Sequence, residues 1–372
     1  MRIDELQARG FRNLVEDAWS FVPGLTLILG PNGAGKSNLL EALCVFTNLA
    51  SFRTSSTVGL FAHGAQAFSL TGRVTRGGSE TDLRVEALFT RPIQRTLFRG
   101  GRRLSAPEYL RMAPSLALSS HDRLLILGNP DIRRRFLDRL AFELQSDAMS
   151  TMQRYRRILR QRAVLLRQGR DGAEMDAFEH DLAREGARLV HLRLAALRAV
   201  LRVLPSELAA VGWSLPEPML RYHDPAALGD DDIASLAVRL QAALAKARRL
   251  DRIVGSTSVG PHRHDLVMTM RGIPLRDTLS AGQVKLLATA LKLAVLRVLT
   301  EVRGEPPMVV FDDVDAELDA GVLAVVLGRL AQGQAVVSSA HHAMMGPHLD
   351  AAVVWHLAAG RVERDGLGGR KR

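Results

Sequence analysis

An α/β fold with its two halves at the ends of the chain, split by an inserted α-helical arm, is what the sequence predicts. Three observations carry it. Strand-like apolar runs occupy the first ninety or so residues and return after about Ser256; helical periodicity runs from about Arg133 to Leu204; and a glycine-rich loop near the start finds its acidic counterpart only at 308–313. A head assembled from both ends follows.

Leu25-Thr26-Leu27-Ile28-Leu29 is a strand ending in glycine, Leu39 to Phe46 is an apolar helix, and 68–74 and 83–89 alternate apolar and polar residues as half-buried strands do. Further on, Met152, Tyr155, Ile158 and Leu159 share one helical face and Met175, Phe178, Leu182, Leu189 and Leu192 another, with Gly169–Gly172 as the turn of a helical hairpin. Pro205 is expected to stop the second helix. A Pro- and Asp-containing segment, 216–232, precedes a new helical face at Ile233, Leu236 and Leu240. The second half of the head then has a long helix from Gly282 to about Thr300, the strand Met308-Val309-Val310-Phe311 and the strand Ala335-Val336-Val337. The expected boundaries are 1–130 for the first part of the head, 131–252 for the arm and 253–372 for the second part.

Length and composition bound the function. The 372 residues exceed one usual domain, and 47% hydrophobic with 24% charged residues is a globular balance, which excludes a disordered or collagen-like chain. Fifty Lys+Arg against 39 Asp+Glu give a net charge of +11, which suits a polyanionic partner, nucleic acid first. Nearly all of that basicity is arginine, which codon bias also explains, so the charge leaves both readings open. One cysteine, Cys44, forms neither an internal disulfide nor a thiolate zinc set and is expected in the core of a reducing-compartment protein. With no secretory signal and no apolar stretch of about 18 residues, the expected location is the cytoplasm.

Gly30-Pro31-Asn32-Gly33-Ala34-Gly35-Lys36-Ser37 fits the phosphate-loop pattern G-x-x-x-x-G-K-[ST], with the required strand before and helix after it. Glycines let backbone N–H groups approach phosphates, the lysine meets the β- and γ-phosphates and the serine hydroxyl reaches Mg²⁺. ATP and Mg²⁺ are the implied ligands. Asp312, at the end of an apolar strand, is placed to hold the Mg²⁺ shell, and Asp313 to act as base or orient the attacking water. Leu279-Ser280-Ala281-Gly282-Gln283 opens a long helix. Taken alone it reads as an ordinary N-cap, with Ser280 accepting from backbone N–H groups.

The order of phosphate loop, L-S-x-G-Q and acidic strand resembles the ATP-binding-cassette superfamily, in which that signature caps the γ-phosphate held by a second protomer. An arm shorter than the coiled coils of SMC proteins narrows the resemblance, together with Gly10-Phe11-Arg12-Asn13, Ser51-Phe52-Arg53-Thr54, Arg133 to Asp138 (R-R-R-F-L-D), Gly260-Pro261-His262-Arg263 and Ala316-Glu317-Leu318-Asp319. These strings are similar to those of the RecF family of bacterial recombinational-repair ATPases. The resemblance implies an ABC-type P-loop ATPase head. It also implies an ATP-dependent homodimer that binds DNA at double-strand/single-strand junctions in gaps, hydrolyses ATP slowly with stimulation by DNA, and assists RecA loading with RecR and RecO. The candidate nucleotide contacts are then Gly30, Pro31, Asn32, Gly33, Ala34, Gly35, Lys36, Ser37 and Asn38, with Arg12, Ser280, Gly282, Gln283, Asp319 and His341. Lys36, Asp312 and Asp313 are the catalytic candidates, and Ser37 and Asp312 the metal ligands.

Several alternatives stay open at this stage. His341 and His342 follow a strand, either as a γ-phosphate sensor at His341 or as two exposed histidines. Leu118-Ser119-Ser120-His121-Asp122 stands where relatives carry a Ser-Pro-Glu-Asp type string, and His264 where an Asp is usual, which keeps a divergent paralogue in view. A transporter ATPase subunit is the least favoured reading. DNA contacts are expected among Arg91, Arg95, Arg99, Arg102, Arg103 and the arm's Arg154, Arg156, Arg157 and Arg160, against the reading that these form a solvated face.

Overall fold

The structure is a computed structural model that describes residues 1–15, 17–54, 56–224, 232–314, 318–340, 352–358 and 360–364. The strands are β1 (Arg2–Arg9), β2 (Asp17–Ser20), β3 (Gly24–Leu29), β4 (Ala67–Arg76), β5 (Ser79–Leu88), β6 (Gln94–Arg99), β7 (Arg102–Leu104), β8 (Ser115–Leu118), β9 (Met219–His223), β10 (Asp265–Met270), β11 (Ile273–Pro274), β12 (Met308–Phe311), β13 (Gln334–Ser339), β14 (Ala352–Ala358) and β15 (Arg361–Arg364). The helices are α1 (Lys36–Asn48), α2 (Ala106–Leu110), α3 (Leu124–Leu127), α4 (Pro130–Leu144), α5 (Ala148–Arg167), α6 (Ala173–Ala210), α7 (Ile233–Val254), α8 (Leu275–Thr278), α9 (Ala281–Arg303) and α10 (Ala320–Leu330). They form two units. The first comprises Met1–Asp122, Glu207–Trp213 and Lys285–Arg372, the second Arg123–Ser206 and Ser214–Val284.

The first unit contains two six-stranded sheets, ordered β2-β1-β4-β5-β6-β7 and β15-β14-β3-β13-β12-β8. The first is antiparallel throughout. In the second, β14, β3, β13, β12 and β8 run parallel, and β15 pairs antiparallel at one edge. Sequence pattern explains the difference. β12 and β13 are buried at every residue, as a parallel sheet covered on both faces requires, whereas β4 alternates buried and more open positions. One hydrophobic core joins residues of both sheets and α1, among them Ile3, Leu6, Ile28, Leu39, Phe46, Val85 and Val336. Cys44 is buried in it. Gln334 is a polar exception at the start of β13: its side-chain amide donates to the Ile3 carbonyl and accepts from the Ile3 N–H, both at 2.7 Å. A buried amide so paired replaces what water would supply and ties β1 to the parallel sheet.

The second unit holds α4 to α7, except the last residues of α6, and the antiparallel sheet β11-β10-β9. Gly169–Gly172 is the turn between α5 and α6, as the glycine spacing predicts. The strand β9 within 216–232 was not legible, because only Leu220 of its five residues is fully buried and no alternation stands out. Asp265 on β10 takes a two-pronged bond from Arg133 on α4, at 2.7 and 2.8 Å.

Pro205 does not stop α6, which runs on to Ala210. Proline removes one N–H and crowds the preceding turn, but Leu204, Leu208 and Val211 are all buried, so packing on one face carries the chain past it. Among the described residues no helix is long and apolar enough to cross a membrane.

Candidate functional site

The site lies in the first unit, where β3 turns into α1 and the neighbouring parallel strands end. Residues 30–35 wrap into a loop whose backbone only glycine tolerates at two critical points. Gly35, which precedes α1, has φ 103°, and a Cβ on Gly30 would stand 2.3 Å from the Leu357 carbonyl oxygen of β14. Lys36 is buried at 6% exposure, with Nζ folded back to the carbonyls of Gly30 (2.7 Å) and Pro31 (3.1 Å). An ammonium held by its own loop's carbonyls is a charge awaiting a better partner, which an incoming phosphate supplies. The Ala34 carbonyl accepts from Gly360 N at 2.9 Å, a second tie to the strand pair β14–β15.

Asp312 meets this loop although most of the chain separates them in sequence. Its N–H donates to the Leu118 carbonyl at the end of β8 (3.0 Å), and its Oδ1 accepts from Ser338 Oγ on β13 (2.8 Å). Ser338 Oγ also accepts from the Asp313 N–H at 2.8 Å. Burial pushes the Asp312 carboxyl above its ordinary value of 3.8; hydrogen bonds from Ser338 and Ser37 and the charge of Arg53 work against that rise, and Asp313 adds to it. Ser37 and Asp312 are thus brought together, a hydroxyl and a half-buried carboxylate, oxygen donors of the kind a small hard cation takes. Asp313 has φ 58°, a left-handed conformation that Asp tolerates better than most residues, and its side chain is exposed.

Other predicted residues take different places. Arg12 forms a two-pronged bond to Glu41 of α1 (2.8 and 2.9 Å). Asn38 bonds Asn13 (2.6 Å) and accepts from Arg53 (2.9 Å). The G-F-R-N and S-F-R-T strings therefore converge on α1. Glu41, fully buried, also accepts from Ser51 Oγ at 2.5 Å. Sequence reasoning missed Glu41, Ser338 and the role of Arg53. The signal for Glu41 was present: a carboxylate inside the apolar run Leu39–Phe46 demands a cationic partner.

Ser280 and Gln283 form a reciprocal capping box at the start of α9, Ser280 N to Gln283 Oε1 at 2.8 Å and Gln283 N to Ser280 Oγ at 3.3 Å. Ser280 and Gly282 are exposed and belong to the second unit, whereas Lys36 and Asp312 belong to the first. Asp319 caps α10, accepting from Val322 N at 3.0 Å. Pro31, Asn32 and Gly33 are exposed loop residues. His341, Ala316 and Glu317 lie outside the described residues. The departing string 118–122 borders Asp312 through Leu118, and its Asp122 accepts from Lys292 of α9 at 2.9 Å. Arg95 is held by Leu49 O (2.6 Å) and Thr57 Oγ1 (2.9 Å), and Arg154 by Glu185 (2.9 Å), so both have structural work.

The parallel sheet, the glycine loop and the carboxylate beside Ser37 define a P-loop ATPase head of the ABC and SMC kind. Residues 2–354 match the RecF/RecN/SMC N terminal domain family. Two relatives described as DNA replication and repair protein RecF are each 36% identical. That of Anaeromyxobacter sp. (strain Fw109-5) aligns over 337 residues, 89% of each chain, and that of Magnetococcus marinus over 354 residues, 91% of each. The chain belongs to the RecF family. Among solved structures, the recombination mediator protein RecF with ATP is similar at TM-score 0.86 and 26% identity, covering 98% of this chain and 99% of that one. An Smc head bound to the C-winged helix domain of ScpA, at TM-score 0.55 and 16% identity over 98% and 96%, shares the fold.

Proposed function

We propose that the chain is an ATP-switched DNA-binding protein of recombinational repair and replication restart. It binds ATP with Mg²⁺, pairs with a second copy, engages double-strand/single-strand junctions at gaps and, with RecO and RecR, assists RecA loading; slow hydrolysis, stimulated by DNA, resets it. The observation that carries this reading is the meeting of Lys36, Ser37 and Asp312 at one sheet end. Named relatives in DNA repair, a solved RecF with ATP and the +11 charge support it.

Each residue has a chemical task. The loop's N–H groups and Lys36 hold the β- and γ-phosphates, and Ser37 and Asp312 hold the metal. Mg²⁺, held there, would supply the charge neutralisation that transfer of the terminal phosphoryl group to water needs. Asp313 orients that water, aided by a backbone pinned to Ser338. Ser280 and Gly282 of a second copy close over the γ-phosphate at the N-terminus of α9, with Gln283 and Asp319 beside the seam. The chain is assigned to the cytoplasm.

Ser280→Arg tests the composite site. The variant should bind ATP as a monomer with wild-type affinity yet fail to dimerise. Sedimentation velocity with and without ATP decides it, and a normal ATP-driven dimer in this variant would remove the sandwich.

Asp312 makes Mg²⁺ binding pH-dependent. Because its pKa is raised, protons should begin to compete with the cation at a higher pH than an ordinary carboxyl would set, so metal affinity should weaken as pH falls toward the raised value. Calorimetry in buffers of differing ionisation enthalpy should register proton release, and Asp312→Asn should abolish both the release and most of the affinity.

Aromatic residues are only 5% of the chain, so DNA contacts should be phosphate-driven. Affinity for a gapped duplex should fall at least ~10-fold between about 50 and 200 mM salt. A flat salt response in a filter-binding titration would contradict that.

A further inference from the structure

The second unit contains a cavity of about 360 Å³ that the reading above does not use. Its size is that of a small-ligand pocket. Four arginines line it, Arg134, Arg135, Arg156 and Arg193, against two aspartates, Asp131 and Asp138, which leaves two net positive charges.

Three of these arginines keep donors open. Arg193, 3% exposed, donates from Nε to Asp138 (2.8 Å) and from Nη1 to Pro261 O (2.7 Å) and Tyr222 OH (3.2 Å), which leaves Nη2 for an occupant of the cavity it lines. Arg135 donates only from Nε, to Asp131 O at 3.3 Å, and Arg156 only from Nη2, to Asp138 at 3.4 Å. Asp138 is already shared by Arg156 and Arg193, so it cannot neutralise both. Open guanidinium forks around one concavity match the oxygens of a phosphate.

The rest of the wall is neutral. The Thr257 carbonyl can only accept, so His262 Nε2 carries the proton it receives at 2.9 Å, and His262 Nδ1 accepts from Tyr155 OH at 2.6 Å. Burial lowers the His262 pKa to about 4, so the ring stays uncharged at neutral pH. Leu159, partly exposed over the buried Leu189, adds an apolar edge against which a flat base can rest.

We infer that this cavity binds a nucleoside phosphate, with the phosphate among Arg135, Arg156 and Arg193 and the base against Leu159. The nucleotide is either free or the phosphorylated end of a strand. The pocket is built from the second unit alone, whereas Lys36 belongs to the first.

The test uses the full chain carrying Lys36→Ala, so that binding at the phosphate loop is suppressed. The probes are dAMP and a short single-stranded oligonucleotide with either a 5′-phosphate or a 5′-hydroxyl. Binding of dAMP identifies a free nucleotide as ligand, and binding of the oligonucleotide only when it is 5′-phosphorylated identifies a strand end. In either case Arg135→Gln/Arg156→Gln should weaken the interaction at least tenfold with an unchanged melting curve, since neither side chain is buried. Arg193→Lys, which keeps the charge beside Asp138 but loses the fork, should weaken it as well. If neither probe binds, or the double variant binds as tightly as its parent, the pocket is not a nucleotide site. ATP binding by the chain with Lys36 intact, measured alongside, reports separately on the phosphate loop.

Discussion

Arg162→Leu is expected to unfold the second unit's helices under conditions in which the native chain is stable. Arg162 is fully buried and bonds Glu179 on α6 (2.7 and 3.1 Å), Asp251 on α7 (2.7 Å) and Thr257 (2.8 Å). Glu179 and Asp251 are themselves 1% and 0% exposed. Glu179 keeps Arg248 at 2.7 Å, but Asp251 would retain only the Ser258 N–H at 2.9 Å, an uncompensated buried charge. Breaking such a pair on one side destabilises by about 3–5 kcal/mol, a large share of a domain's stability. Urea unfolding of the full chain, followed by far-UV circular dichroism, should show an early transition in the variant. The triple variant Arg162→Leu, Glu179→Leu, Asp251→Leu should recover most of the loss, because no charge is then left unpaired. Equal midpoints for Arg162→Leu and the native chain would show that the network carries no stability.

The second large effect is at Lys36. Lys36→Ala should lower ATP affinity by on the order of 100-fold or more, about 2.7 kcal/mol, through loss of charge-assisted bonds to phosphate. It should leave the apo fold close to native, since Lys36 Nζ bonds only loop carbonyls. ATP-driven pairing should vanish with it, because a nucleotide that favours the paired state loses its leverage when it cannot bind. A fluorescent-ATP titration together with sedimentation separates the two losses. Retained affinity would relocate the nucleotide away from residues 30–37.

Much of the site was legible from local pattern. The phosphate loop is a spacing of glycines, lysine and serine between a strand and a helix, and β3, β12 and β13 carry the short apolar runs of a buried parallel sheet, unbroken in β12. Ser280 was legible in both its readings, and the capping box now accounts for its local one. What stayed hidden was partnership. Arg12 pairs with Glu41, and nothing near Arg12 in sequence announces a carboxylate 29 residues on. Ser338 looks like any serine closing a strand until β13 lies between β3 and β12 and its hydroxyl spans Asp312 and the Asp313 amide.

The sequence by itself determined the glycine loop between a strand and a helix and most of the regular elements, β9 excepted, because periodicity and glycine spacing act over a few residues. Only the tertiary structure decided that Ser37 meets Asp312, that Gln334 holds Ile3, that α6 runs past Pro205 and that Arg162 gathers Glu179 and Asp251. Those outcomes rest on burial. A charge or amide withdrawn from water needs a partner of fitting geometry, and strand order and helix packing, not proximity along the chain, determine which partner stands within reach.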